Sequence, residues 1–252
     1  LYQLLWQRVL LSVFGVNIES VTIIATVFIL GLGVGGYVGG ALSRRHSQNL
    51  LVLFFCIELA IAVVGFFSLD IINYLTRDLT SIGSLETGLF SASFLLLPTV
   101  LMGASFPLLM SQLTTWTGQT GISSGALYFT NTLGSAIACF VAAGYLFYML
   151  GQRDSINVAV CFNLAVGLGA LALVFGQNKM RSDATAAESN QKTNAELNLI
   201  VDKKLEPSLD FRTAVIAAAM LGFLALAYEI IWVRLYFYVS QGTASAFPLV
   251  LG

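Results

Sequence analysis

The sequence predicts an all-α integral membrane protein, a polytopic bundle of seven or eight transmembrane helices. Hydrophobic residues make up 57% of the 252 residues and charged residues only 10%, whereas a soluble domain carries roughly 25% charged residues. The charges are unevenly placed, because 11 of the 25 lie in residues 177–211. The remaining apolar runs reach the roughly 20 residues that a helix needs to cross a bilayer. This pattern argues against a soluble catalytic domain, and no basic cluster points to nucleic acid as a partner.

Polar breaks divide the apolar runs into eight segments. The sequence begins at Leu1 inside the first apolar segment. It ends at Gly252 inside the eighth, which begins near Ala244. We therefore expect a fragment of a longer protein. The runs are too long for strands and lack the two-residue alternation of a membrane β-barrel. The first seven predicted helices cover residues 1–14, 20–42, 48–75, 85–113, 122–150, 154–175 and 212–239.

These segments define three parts of the chain. Residues 1–176 form a first half of six helices, residues 177–211 a polar linker, and residues 212–252 the start of a second half. The linker is rich in Ala, Ser, Asn, Lys and Glu, a composition typical of a solvated connector.

The distribution of positive charge predicts the orientation. Loops on the cytoplasmic side carry an excess of Lys and Arg. Eight such residues fall on the side of the linker and two on the other side, which predicts an inner (cytoplasmic) membrane protein with its linker in the cytoplasm. The eight are Arg44, Arg45, Lys179, Arg181, Lys192, Lys203, Lys204 and Arg212, and the two are Arg77 and Arg153.

A short motif occurs twice. The segment Tyr2–Arg8 has Tyr, Trp and Arg at the same spacing as the segment Tyr228–Arg234, 226 positions later, with Gln3 in place of Glu229. Six predicted helices separate the two copies, so both copies enter the membrane in the same direction. Parallel six-helix repeats are the arrangement of major-facilitator transporters. We therefore expect a major-facilitator-like fold in which Trp6 overlies Trp232 after rotation about the membrane normal.

Several segments resemble one family, the bacterial membrane proteins often called fused major-facilitator/spermidine synthases. The most specific segment is Pro98-Thr99-Val100-Leu101-Met102-Gly103-Ala104. The others are Tyr2–Arg8 with Phe14-Gly15, Gly31–Arg45, Glu58-Leu59, Gly125–Tyr128 with Asn131–Gly134, and Asn163-Leu164. The segment Gly40–Arg45 is also similar to the major-facilitator loop signature Gly-x-Leu-x-Asp-Arg, with Arg44 at the position of the Asp.

The resemblance implies two alternative functions. The first is a transporter-like membrane domain that binds or moves a small cationic substrate, such as a polyamine or its sulfonium donor. The second is a membrane anchor without transport, attached to a cytoplasmic aminopropyltransferase (spermidine synthase-like) domain beyond residue 252. The residues of this chain themselves predict no catalytic site, cofactor or metal site. The expected partners are the lipid bilayer, a small cation and the fused domain.

Glycines in the second helix favour close helix packing. Gly31, Gly35 and Gly39 recur every four residues, as do Gly36 and Gly40, and such ridges of small residues let helices approach closely. Gly31 and Gly36 with Gly33 also match a dinucleotide-binding pattern, but that loop requires a strand before it and a helix after it. We therefore predict a packing role.

Charged and amide side chains within the spanning helices are the candidate substrate-binding residues. A charge at the middle of a membrane helix costs roughly 2.5–3.5 kcal/mol on the insertion scale. The carboxylates either line a cavity for a cation or proton, or form structural ion pairs with the arginines. An intramembrane Asn either bonds to a neighbouring helix or touches a ligand. The candidates are Glu58, Glu229, Asn131, Arg8 and Arg234. Cys56, Cys139 and Cys161 lie in apolar runs and are expected to be small buried residues.

Overall fold

A computed structural model of the chain describes residues 1–14, 18–77 and 84–187, together with eight single positions between residues 216 and 235. Within this part the regular elements are all helical. They are α1 (Tyr2–Phe14), α2 (Ile18–Arg45), α3 (Leu50–Arg77), α4 (Ser84–Thr117), α5 (Thr120–Val141), a π-helical turn (Ala142–Leu146), α6 (Phe147–Met149) and α7 (Gln152–Ala187).

Five of these helices are long and apolar enough to cross a membrane. They are α2, α3, α4, α5 and α7, and they correspond to the second to sixth helices that the sequence predicts. The prediction of an all-helical, multi-pass membrane protein is confirmed for this part of the chain. Most of the seventh segment, including Trp232, and the whole eighth segment lie outside the described residues. The structure therefore does not bear on the comparison of the two repeats.

The largest differences from the sequence-based map are the end of α7 and the interruption of the predicted fifth helix. α7 continues through Ala187, so its last turns lie in the segment assigned to the linker. Residues 177–187 contain Ala, Lys, Arg, Met and Gln, which are good helix formers, and extending an existing helix is far easier than nucleating a new one. The predicted fifth helix is divided by the π-helical turn, which is followed by the short α6.

The turn between α4 and α5 is fixed by local hydrogen bonds. Gly118 has φ +67°, a left-handed conformation that glycine adopts without a steric penalty, and its N–H donates to the carbonyl of Thr114 at 2.9 Å. The hydroxyl oxygens of Thr117 and Ser123 lie 2.6 Å apart across the turn. Such a glycine after the last helical residue is a common way to end a helix.

The tightest contact in the bundle joins α2 to α4. A Cβ placed on Gly35 would lie 2.1 Å from the carbonyl oxygen of Val100, and one on Gly103 would lie 2.3 Å from the carbonyl oxygen of Leu32. Gly31 and Gly39 face α4 in the same way, so the two backbones are in direct contact. Residue numbers increase together along the contact, which shows that the helices are parallel.

One of the two predicted glycine ridges therefore packs against a helix of the bundle. Gly31, Gly35 and Gly39 meet α4, as the sequence predicts. Gly36 has no atom within 4 Å of an added Cβ, and Gly40 has only the guanidinium nitrogen of Arg44 at 3.8 Å. The second ridge thus meets no neighbouring helix within the described residues.

The helix α4 contains two prolines, Pro98 and Pro107, and remains helical at both. Pro98 is fully buried, and a proline removes one backbone donor from the helix. The hydroxyl of Thr99 donates to the carbonyl of Leu95 at 2.8 Å, and that of Ser105 donates to the carbonyl of Met102 at 2.7 Å. The carbonyls that lose their helical donor to the prolines are those of Phe94 and Gly103, four residues earlier, so these hydroxyl bonds go to neighbouring carbonyls instead.

The hydrophobic core lies among α1, α2, α3, α4 and α7. Trp6 of α1 is fully buried, and Phe28 of α2, Ile61 of α3, Leu95 of α4 and Ile156 of α7 are at most 2% exposed. α5 contributes no residue to this core among the described positions and packs chiefly on α4.

The outer surface of the bundle is apolar. Large hydrophobic side chains are exposed on every spanning helix, among them Leu30, Phe66, Leu97, Phe129 and Phe162. An apolar surface of this extent is typical of a protein that faces lipid. The expectation for the cysteines is only partly right, because Cys139 is buried but Cys56 and Cys161 are exposed. A thiol on a lipid-facing helix is in an apolar medium without being covered by protein.

We predict that Gly35→Ala destabilises the bundle by about 1–3 kcal/mol, the usual cost of overpacking. The added methyl group has no space, because it would lie against the backbone of α4. Denaturation in mixed micelles with increasing dodecyl sulfate would measure the effect.

Gly33→Ala in the same helix is the matched control, because nothing lies within 4 Å of a Cβ at Gly33. This variant should be as stable as the parent or slightly more stable, since Ala favours helix over Gly. Equal stability of the two variants would contradict the described contact between α2 and α4.

Candidate functional site

Glu58 lies inside the bundle on α3. It is eight residues after Leu50, the first residue of α3, which places it about 12 Å into the helix at 1.5 Å per residue. Its side chain is buried and points toward α7, where an added Cβ on Gly167 would lie 3.3 Å from the Glu58 Cβ. Gly167 therefore leaves the space in which the Glu58 side chain sits.

Tyr2 on α1 packs against the face of α3 that carries Glu58. The Tyr2 ring lies at Gly65, where an added Cβ would be 2.6 Å from the phenol oxygen. Gly65 is seven residues after Glu58, so the two positions share one face of α3 and lie about 10 Å apart along it. The Tyr2 hydroxyl is buried and has no hydrogen-bond partner among the described residues.

An aromatic cluster continues from Tyr2 into the core. Tyr2 stacks on Trp6 with ring centroids 5.1 Å apart. Trp6 in turn contacts Phe28 of α2 at 6.1 Å and Phe94 of α4 at 6.5 Å. These spacings fall within the range of favourable aromatic pairs. We call Tyr2, Trp6, Phe28 and Phe94 the aromatic cluster.

α1 also carries buried polar atoms that lack partners. The Nε1 of Trp6 and both amide atoms of Gln7 are buried and, like the Tyr2 hydroxyl, form no hydrogen bond within the part of the chain that the structure describes. Buried polar groups are satisfied in nearly all proteins, so unpaired ones need an explanation such as water, an ion or a ligand. Gln7 is about 100° around the helix from Trp6, so its amide faces a different side of α1 than the aromatic cluster.

No ion pair or hydrogen bond to the Glu58 carboxylate is formed within the described part of the chain. The described residues therefore give no support to the alternative that Glu58 forms a structural ion pair with an arginine. Arg8 lies on α1 with an intermediate exposure. Glu229 and Arg234 lie outside the described residues, so the structure does not bear on them.

Asn131 does not join Glu58. It lies on α5 and is exposed, whereas Glu58 lies between α3 and α7. Its side chain forms no hydrogen bond to another helix within the described residues. Glu58 and Asn131 thus lie in two separate places: Glu58 is buried between α3 and α7, and Asn131 is exposed on α5.

The sequence patterns did not reveal three of the buried polar side chains of α1. Tyr2 and Trp6 stand out only as repeat markers, and Gln7 is a polar residue in an apolar run. Their burial without partners depends on how α1 is surrounded, which no local pattern encodes. No group of three or more His, Cys, Asp or Glu residues that could hold a metal is found among the described positions.

An ion pair joins α3 to α7 at the opposite end from the α2–α3 loop. The guanidinium of Arg153 donates to the carboxylate of Asp70, with nitrogen–oxygen distances of 3.0–3.2 Å. Both side chains are about half exposed, at 55% and 54%. The pair fixes the ends of two antiparallel helices whose contact contains Glu58 and Gly167.

Comparisons with known proteins give no assignment. No protein-family model, no curated protein and no solved structure matches the chain. The functional interpretation therefore rests on the chemistry of the described residues.

We predict that Asp70 and Arg153 are coupled by less than about 1 kcal/mol, because solvent screens pairs that are this exposed. A double-mutant cycle with Asp70→Asn, Arg153→Gln and the combined variant would measure the coupling in micellar denaturation. A coupling above about 2 kcal/mol would contradict the described exposure of the pair.

Proposed function

We propose that this chain is the transporter-like membrane domain of an inner-membrane protein and that it binds a small organic cation at Glu58. The observation that carries the proposal is the burial of Glu58 in a spanning helix without a counter-ion in the described part of the chain. Acidic residues inside membrane helices are rare and commonly mark ion or substrate pathways. A cation that enters this site would supply the missing charge partner.

The surroundings of Glu58 suit an organic cation rather than a metal ion. Glu58 offers two carboxylate oxygens, which is fewer than the six to eight oxygens that calcium takes. The rings of Tyr2 and Trp6 lie on the same side of α1, and aromatic faces attract ammonium groups. An amine bound here would donate hydrogen bonds to the carboxylate while its methylene groups contact the rings.

The proposed ligand class is a polyamine-like cation. Its ammonium groups need acidic partners and its methylene chain needs apolar ones, and Glu58 with the aromatic cluster supplies both. The resemblance to fused major-facilitator/spermidine synthases supports the same class. Under this proposal the fused aminopropyltransferase-like domain would produce or consume the polyamine that the membrane domain binds.

The second candidate function is a membrane anchor without transport. The observation in its favour is the dense packing around α1, where Trp6 is fully buried and fills the space between α2 and α4. An anchor needs only packed interfaces, and the backbone contact of α2 with α4 is of that kind. In this case Glu58 would be held neutral, because a neutral side chain is less costly to bury than a charged one.

We expect Glu58→Gln to weaken the binding of radiolabelled spermidine to the purified protein in lipid nanodiscs by tenfold or more, about 1.4 kcal/mol. The substitution keeps the size of the side chain but removes the charge that the cation needs. Equilibrium binding at constant ionic strength would measure the change.

Asp154→Asn is the matched control, because it removes one carboxylate from an exposed position at the start of α7. Its spermidine affinity should stay within about twofold of the parent, since exposed charges are screened by salt. If Glu58→Gln binds spermidine as the parent does and is equally well folded, the anchor function is the correct one.

We further propose that residues 177–211 lie in the cytoplasm. A single cysteine at Ser189, in a variant without Cys56, Cys139 and Cys161, should react in intact cells only with a permeant thiol reagent. A single cysteine at Gln152, at the opposite end of α7, should react with an impermeant one. The reverse pattern would show the opposite orientation in the membrane.

A further inference from the structure

One side of α2 contacts no other helix within the described residues. Gly33, Tyr37, Gly40 and Arg44 follow one another at steps of three or four residues, and they lie about half a turn around the helix from Gly35, which meets α4. A Cβ added to Gly33 would meet no atom within 4 Å, and the Tyr37 side chain is 79% exposed. We call these four residues the open face of α2.

Arg44 ends the open face and points back along it. It lies in the last turn of α2, and one of its guanidinium nitrogens is 3.8 Å from the position of a Cβ added to Gly40. Side chains on a helix lean toward its N-terminus, and because Gly40 has no side chain, the guanidinium lies against the helix. The positive charge is therefore turned toward the membrane-spanning part of α2.

The Arg44 guanidinium has no anionic partner within the described part of the chain. It forms no hydrogen bond or ion pair there. Of the three carboxylates among the described side chains, Asp70 and Asp154 lie at the opposite end of the bundle, and Glu58 is enclosed between α3 and α7. A positive charge at the edge of the hydrocarbon is costly without such a partner.

We propose that the open face of α2 binds an anionic phospholipid, with its phosphate on Arg44 and an acyl chain along Tyr37 and the bare glycines. A guanidinium pairs with a phosphate through two parallel hydrogen bonds. Lipid phosphates lie just outside the hydrocarbon, at the depth where a spanning helix ends. The site needs no second wall, because the open face is turned to the bilayer.

The charge of Arg44 selects an anionic lipid. Basic residues at the membrane surface attract lipids with a net negative charge, whereas the ammonium group of a zwitterionic lipid competes for the phosphate. The proposal does not depend on cation binding at Glu58, which lies on another helix.

Lipid binding to the purified protein tests the proposal. Native mass spectrometry of the detergent-solubilised protein, titrated with phosphatidylglycerol, gives the affinity for the lipid. We expect Arg44→Gln to weaken phosphatidylglycerol binding by about fivefold or more and to leave phosphatidylcholine binding unchanged.

Arg45→Gln is the matched control, because it removes the same charge one residue later. Arg45 lies about 100° around the helix from Arg44 and therefore off the open face. This variant should bind phosphatidylglycerol within about twofold of the parent, since its charge does not lie on the open face.

Gly40→Leu tests the same site without removing a charge. The new side chain takes the space in which the guanidinium lies, and Arg44 is the only residue within 4 Å of its Cβ, so helix packing is preserved. We expect it to weaken phosphatidylglycerol binding as Arg44→Gln does. Circular dichroism checks that each variant is folded, and Gly40→Leu decides the question if Arg44→Gln is not.

Equal losses in Arg44→Gln and Arg45→Gln would overturn the proposal, because they would show attraction to positive charge in general. Unchanged phosphatidylglycerol binding in both Arg44→Gln and Gly40→Leu would overturn it as well. A dimer in the spectra of the parent that Gly40→Leu dissociates would show that a second copy of the chain, and not lipid, covers the open face.

Discussion

The contact between the backbones of α2 and α4 is the constraint on which the bundle depends. Gly31, Gly35 and Gly39 let the two parallel helices touch, so that Thr99 and Ala104 lie against the α2 backbone. Between helices surrounded by lipid the driving force is close packing rather than the hydrophobic effect. This contact fixes the distance between Phe28 and Phe94, the two rings that enclose Trp6. The position of α1, and with it that of Tyr2, follows from the glycines of another helix.

The bundle divides into a tightly packed region and an open one. α1, α2, α3, α4 and α7 share the core, and Glu58 is enclosed where α3 meets α7. α5 stays at the edge, with few buried residues and with polar groups on its exposed side. A carboxylate in a packed interior and a polar face on a spanning helix are both unfavourable in hydrocarbon, so each indicates water, a charge or a ligand.

The sequence predicted the features that depend on local composition. Five spanning helices were placed correctly because each apolar run is longer than a bilayer requires, and the ridge of Gly31 and Gly35 was recognised by its spacing. The partner of Asp70 could not be predicted, because Arg153 is 83 positions away and only the antiparallel packing of α3 and α7 brings them together. The end of α7 was missed because helix-forming residues continue past the apolar run.

The candidate site was predictable only in part. Glu58 was identified because a carboxylate in an apolar run is conspicuous. Tyr2 was not, because a tyrosine is ordinary in a membrane helix and only its buried hydroxyl, which has no partner among the described residues, distinguishes it. Cys56 and Cys161 were predicted to be buried but are exposed. Hydropathy reports the affinity of a residue for an apolar medium, and it does not distinguish burial within the protein from contact with lipid. Asn131 was identified because an amide in an apolar run is conspicuous, but its distance from Glu58 depends on how α5 is placed.

We infer that Glu58 is an acidic site without a counter-ion among the described residues. The most direct test is an experimental structure of the protein in lipid nanodiscs, determined with and without spermidine. We expect an amine nitrogen within about 4 Å of the Glu58 carboxylate, the range of an ion pair, and no arginine at that position in the spermidine-free structure. A guanidinium of Arg8 or Arg234 on the Glu58 carboxylate in both structures would contradict it.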